Sequence, residues 1–337
     1  MFRASSAQIR GCLRFLTRAL CVLGLLMSLS SLASAADQPR PSPKLNDIIQ
    51  AMEANGERAG AVSIHWREVV HFAKGGLIAS EQAQFLGIEG PAAKTGIPAR
   101  DMRADFPSEL LLKGSWMKYS TKDGGPGPTE RQAILDSTSA YDGVESRDLT
   151  SNAAERVLYG NILTRAENTA SHEGRLLPLL LYLRPFAEPF HNLNKRKLRV
   201  KAADAIVNHA HCVVVSDGLT SVWLDTARGC VPVVIEAYRP NGDKDYHAEV
   251  EYAADDVLFW APKRTRVELY NIPHPTHIDV SYEASNIVIK SRLPLSRRDF
   301  ALVFPLGTAV YDGPHGTRYR VGPNESKIPI GETRTAK

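Results

Sequence analysis

The sequence predicts an α+β fold that is mostly β: a strongly curved antiparallel sheet forming an unclosed half-barrel, with helices over its concave face. Three observations predict it. One amphipathic helix opens the body of the chain. Segments of period two then recur every 8–14 residues from residue 198 onward, with turn residues and no helical segments between them, a pattern of antiparallel meander and not of crossovers. A short segment, apolar nearly all round, lies at Arg175–Tyr182 and suits a helix packed over the sheet.

The chain starts with an element that belongs to transport and not to the fold. Arg3, Arg10, Arg14 and Arg18 precede an apolar run from Ala19 to Leu29, which ends in Ala33-Ser34-Ala35-Ala36. A charged region, a short apolar core and a small-residue exit together read as a secretory signal peptide over residues 1–35. The core is short for a membrane span, which needs roughly 20 apolar residues, and an uncleaved N-terminal anchor is the alternative to a cleaved signal. The expected location is therefore the periplasm or the exterior. Cys12 and Cys21 leave with the signal, and neither sits in a lipoprotein-type box. The four arginines leave too, so the formal charge falls from +4 to zero. The basic face of a nucleic-acid binder is then missing, and Lys195-Arg196-Lys197 with Arg199 reads as a solvated strand end.

Residues 36–43 form a proline-rich leader. Leu45, Ile48, Ile49 and Met52 recur at helical spacing, giving a helix of about 12 residues that closes near Gly56. From Ala61 the period becomes two, with Val62, Ile64 and Trp66 on one face, for a strand running to Phe72. Residues 74–108 read as a loop insertion with a short helix at Ser80–Leu86, and residues 122–129 as a second loop. Hairpins pair Glu109–Lys113 with Trp116–Thr121 and Arg131–Ser137 with Val144–Thr150, the latter around Asp142-Gly143. Pro178 suits the first turn of the apolar helix, and Pro185 ends it.

The remaining strands fall at Leu198–Ala203, His209–Ser216, Ser221–Asp225, Val231–Tyr238, Tyr246–Ala253, Val267–Tyr270, Ile278–Ala284 and Ile287–Ser291. A short strand follows the Pro305–Gly307 turn, and residues 331–337 read as a disordered tail. Residues 44–330 thus form a single domain. Cys212 and Cys230 lie on the first and third strands of a meander, so their Cα atoms stand roughly 10 Å apart. That is beyond bridging range, and two free buried thiols are expected.

Four stretches resemble the LolA/LolB-like superfamily of exported carriers. Leu179-Leu180-Leu181-Tyr182-Leu183-Arg184-Pro185-Phe186 resembles the helix crossing the sheet. Val222-Trp223-Leu224-Asp225-Thr226-Ala227-Arg228-Gly229 is similar to the family's W-[LV]-D-P-x-x-G, with Thr226 in place of Pro. Glu249–Tyr252 followed by Trp260-Ala261-Pro262 resembles its Y…W-x-P. Asp299-Phe300 to Phe304-Pro305-Leu306-Gly307-Thr308 resembles a terminal F…F-P-x-G-T.

The resemblance implies a non-enzymatic protein that binds a lipid, a lipid-modified protein or another apolar partner in the half-barrel, and it places that protein in the periplasm. Ile64, Trp66, Trp116, Tyr119, Trp223, Tyr252 and Trp260 are the candidates for lining such a cavity, the alternative for each being ordinary core packing. A second reading is a regulatory or protein–protein interaction module with no bound lipid, meeting an envelope protein. A third is a secreted hydrolase with dispersed catalytic residues.

No chemical motif supports the third reading directly. G-x-S-x-G, S-x-x-K, a Walker loop and G-x-G-x-x-G are all absent. His209 and His211, with His274 and His277, lack the third and fourth ligands of a zinc site. The acidic run from Asp243 to Glu251 lacks the register of a calcium loop and is explained by alternation, with Tyr246, Ala248 and Val250 inward. No cofactor is expected, and contact with a membrane is peripheral at most.

Overall fold

Residues 44–74, 101–122, 135–152, 157–163, 169–186, 193–270 and 278–330 are described by a computed structural model. The expected signal peptide, leader, short helix at 80–86 and tail at 331–337 lie outside these residues, as does the loop expected at 122–129 apart from Lys122, which ends a strand. None of the described helices is long and apolar enough to cross a membrane.

Sixteen described strands form one curved, unclosed sheet. Two helices, α1 (Leu45–Ala59) and α2 (Thr169–Leu183), pack on one of its faces, called here the inner face. At the middle of the sheet is β1 (Val62–Phe72). It pairs on one side with β2 (Met102–Lys113), and β3 (Trp116–Lys122), β4 (Leu135–Tyr141), β5 (Ser146–Asn152) and β6 (Val157–Leu163) follow in order. Its other side pairs with β13 (Ile278–Lys290). Beyond β13 lie β12 (Phe259–Tyr270), β11 (Lys244–Asp255), β10 (Val231–Tyr238), β9 (Thr220–Asp225), β8 (Ala210–Ser216) and the edge strand β7 (Arg199–Val207). The chain end returns as β14 (Ala309–Asp312), parallel to β6, and finishes with β15 (Thr317–Val321) and β16 (Lys327–Pro329).

The helices differ from expectation in instructive ways. α1 runs to Ala59, past Gly56. That glycine is a crossing point and not a cap: a Cβ there would stand 2.0 Å from the Leu183 carbonyl oxygen of α2. α2 starts at Thr169, so Pro178 lies inside the helix and not in its first turn. Proline has no N–H to donate one turn back, a loss tolerated where the surrounding leucines are buried. Arg184 N–H closes the helix end on the Leu180 carbonyl.

Several strands also depart from expectation. β2 starts at Met102 and not at Glu109, so the loop reading fails for residues 102–108. Ala104, Phe106 and Ser108 alternate with Arg103, Asp105 and Pro107 there, and the proline and charges conceal the period. β4 and β5 lie a few residues later than expected, and β6, β15 and β16 were not expected at all. β4, β5 and β15 are rich in hydroxyl and charged residues, so apolar alternation is faint, whereas in β6 (Val-Leu-Tyr-Gly-Asn-Ile-Leu) Gly160 and Asn161 interrupt an apolar run. β13 is one strand where two were expected: between His65 and Arg67 of β1 it carries one additional residue. Asn286 absorbs this bulge at φ 53°.

The C-terminal segment covers the outer face of β3–β6. Phe300 packs on Trp116 at 5.6 Å between ring centres. Phe304 occupies the space that Gly160 leaves open, where a Cβ would meet its ring at 2.7 Å. Thr308 is buried and its hydroxyl donates to the Pro305 carbonyl. The F…F-P-x-G-T stretch is therefore a fastening. Asp225 plays a similar part in the W-L-D stretch, accepting from the Ala227 and Arg228 N–H groups before Gly229 turns at φ 77°.

Cys212 and Cys230 are free and buried, as expected, although Cys230 sits in the turn before β10 and not in a strand.

Candidate functional site

Period-two burial in β1 sends Val62, Ile64, Trp66, Glu68, Val70 and Phe72 to the inner face. Beside them stand Leu110 and Leu112 of β2 and Met117 and Tyr119 of β3, and α2 lays Leu176, Leu179, Leu180 and Leu183 across the group. Tyr252, Trp223 and Trp260 pack against the same cluster, half-buried. Six of the seven candidate lining residues thus converge on α2. Trp116 does not: it is absent from that cluster and stacks on Phe300 under the C-terminal segment. Its alternation with the buried Met117 and Tyr119 puts it on the outer face.

The interior under α2 is filled by the chain's own side chains, with Ile64 and Leu110 at 0% exposure. Trp66 and Tyr119 stack with centroids 5.9 Å apart. Tyr182 leans on Tyr252 and donates to the Trp260 carbonyl, and Tyr252 donates to the Pro232 carbonyl. Burial pushes the Tyr119 and Tyr252 hydroxyls well above their ordinary range, so both are neutral donors.

Polarity enters this interior at Glu68, whose partners alternation could not announce, and again at Arg184, which is buried against Met117. Glu68 is 2% exposed, and its carboxylate accepts from Trp66 Nε1, Ser108 Oγ and Tyr119 OH at 3.3, 2.9 and 3.1 Å. Arg175 of α2 stands 3.5 Å from the other oxygen and over the Tyr119 ring. A lone carboxylate in a strand's apolar stripe was the available sequence signal.

On strands β4–β6 the inner face changes character. Register carries Tyr119 to Ser139, Asp148 and Asn161, and Thr121 to Ser137, Thr150 and Tyr159. Burial pushes the Asp148 carboxyl up, partly offset by a hydrogen bond from Ser139. Its Oδ1 is shut off from water and has no hydrogen-bond partner among the described residues.

Two arrangements hold the residue types of catalytic groups without their geometry. On the outer face Ser63 Oγ lies 2.9 Å from His65 Nε2, and Glu109 lies 3.6 Å from that same nitrogen. A relay needs the acid on the opposite ring nitrogen, so this is a surface cluster. His211 Nδ1 meets Asp204 at 2.9 Å on the exposed β7–β8 hairpin. No hydrogen bond joins its imidazole to a serine, threonine or cysteine side chain among the described residues. His209 is in the turn at φ 65°, away from any shared strand face. His274 and His277 lie outside the described residues, among which no three potential metal ligands converge. A hollow of about 480 Å³ opens on the outer face, lined by Glu109, Leu111, Lys118, Asp136, Leu149 and Leu302 among others. None of the candidate residues lines it.

No protein-family model and no curated protein sequence matches the chain. Solved structures do. A putative outer membrane lipoprotein-sorting protein domain from Vibrio parahaemolyticus is similar over 75% of this chain and 94% of its own, at 13% identity and a TM-score of 0.46. A DUF1329 family protein from Desulfovibrio piger is similar over 76% and 97%, at 9% identity and 0.46. A LolA superfamily protein from Nitrosomonas europaea is similar over 75% and 97%, at 10% identity and 0.40.

Proposed function

We propose that the protein is a non-enzymatic, exported binding protein that receives an apolar ligand, a lipid or the acyl chains of a lipid-modified protein, on the inner face of its half-barrel. The observation that carries this reading is the lining of that face. One apolar cluster spans β1–β3 and reaches residues of β8–β13, and its cover is helical. Exchanging helix contacts for acyl contacts leaves apolar surface buried either way. The roughly 25 cal/mol per Å² of burial is then largely retained, so a helix over such a face is a replaceable cover. The N-terminal arginines, apolar core and small-residue exit support export.

Native mass spectrometry of residues 36–337, purified from a membrane-containing host, tests the reading. A co-purifying lipid near unit stoichiometry supports it. A clean apo mass that also takes up no fatty acid or lipid probe overturns it.

The complete packing of Ile64 and Leu110 favours a second reading, an interaction module whose interior is structural and whose partner meets its surface. The apo outcome of the same experiment would select it.

A further inference from the structure

We infer that the inner face of β4–β6, β14 and β15 is a binding site for an oligosaccharide that carries a carboxylate. This part of the sheet lies apart from the apolar lining, and the inference stands without the lipid reading.

In-register neighbours share a face, so one row runs from Tyr119 through Ser139, Asp148 and Asn161 to Tyr311 and Arg318. Beside it a second row runs from Thr121 through Ser137, Thr150 and Tyr159 to Ala309 and Arg320. Exposure rises along both. Ser139 is buried, Asp148 and Thr150 are half-buried, and Asn161 and Arg318 are exposed. Tyr159 is 50% and Tyr311 42% exposed.

Each feature asks for a different part of one ligand. The exposed tyrosine rings, set diagonally on adjacent strands, offer flat apolar faces with polar tips, which suit the C–H face of a sugar ring. The hydroxyl and amide groups between them can exchange hydrogen bonds with ring hydroxyls in either direction. Asp148 Oδ1 lacks a donor among the described residues; it is closed to water, so a sugar hydroxyl completes its hydrogen bonding only when the side chains over this half-buried residue move aside. Arg318 lies over Tyr311 at 5.7 Å and has no carboxylate partner among the described residues. A guanidinium without a carboxylate partner can take a ligand carboxylate in a bidentate pair. Arg320 beside it donates to the Gly307 carbonyl. Asp148 and Arg318 stand three strand spacings apart, about 14 Å, a distance that an oligosaccharide can bridge and a monosaccharide cannot.

Isothermal titration of residues 36–337 with trigalacturonate and with maltotriose tests the assignment. The acidic trisaccharide is expected to bind at least about tenfold more tightly than the neutral one. Tyr311→Ala and Asp148→Ala should each weaken it by about tenfold or more, and Arg318→Gln should bring the two sugars level. Arg318→Gln and Tyr311→Ala change exposed positions, where folding is little affected, and a thermal melt of each variant confirms that it folds. Absence of binding by either sugar at millimolar concentration overturns the site. Binding that survives Tyr311→Ala and Asp148→Ala overturns its location. Equal binding of both sugars by the unaltered protein overturns the acidic class.

Discussion

Arg175 projects from α2 to within 3.5 Å of Glu68 on the central strand β1, and so ties the helix to the sheet by charge in a largely apolar interior. Trp66, Ser108 and Tyr119 donate to the same carboxylate. Removing one member of a buried pair leaves the other uncompensated. Glu68→Ala is therefore expected to cost about 3–5 kcal/mol, read from the urea midpoint. Glu68→Leu combined with Arg175→Met should cost clearly less than the sum of the single changes. Simple additivity would mean the two charges do not interact.

Gly56→Ala sets two rules against each other. Helix propensity alone favours alanine by about 1 kcal/mol. The Leu183 carbonyl oxygen, 2.0 Å from the added carbon, is backbone and cannot swing aside. Overpacking of about 1–3 kcal/mol should prevail, lowering the melting temperature. A rise would mean the helices do not cross at Gly56.

Cys212 and Cys230 should resist thiol reagents in the folded protein. Burial, with a smaller contribution from Asp225, pushes each thiol up to about 11, leaving little thiolate at neutral pH. Ellman's reagent should titrate both only after denaturation. Rapid reaction of either thiol in buffer would contradict the buried placement.

Asp312 supplies a pH dependence of defined sign. Burial raises its carboxyl, but hydrogen bonds from His315 and Lys327 outweigh it and hold the group below its ordinary value. A carboxylate with a depressed folded value stabilises the fold above its unfolded value and loses that contribution as pH falls through the folded one. Asp312→Asn should accordingly be less stable than the parent at pH 7, and the two melting curves should converge below about pH 4. A gap unchanged at acid pH would show that the carboxylate's charge is not responsible.

Where side chains divide sharply into apolar and polar, the sequence was sufficient. β1, β11 and α1 follow period two or 3.6, β8 and β10 are continuous apolar runs, and Ile64, Trp66 and Tyr119 met where alternation placed them. Hydroxyl-rich strands carry no such contrast, which is why β4 and β5 slipped; β6 went unseen because Gly160 and Asn161 break its short apolar run. Gly56 and Pro178 have local meanings, a cap and a first turn, that contacts between the helices overrode. Trp116 illustrates a further limit: its period was clear, but the outer face has a core of its own, built by the distant Phe300. Glu68 and Arg175 are 107 positions apart, and nothing local couples a lone acid in one stripe to a base in a later helix.

The ladder between β1 and β13 joins residues such as Ser63 and Lys290, and it sets an order of assembly. As the chain is made, β1 acquires its neighbour β2 early, while its other edge waits for almost the whole remaining sequence. β6 waits too, until β14 is made later still. Contacts this distant in sequence are slow to form, and unpaired edges invite association with other chains. A nascent chain of this protein therefore holds both edges open while the segment between β6 and β13 is made, and the edge of β6 stays open until β14 emerges in the last tenth of the sequence.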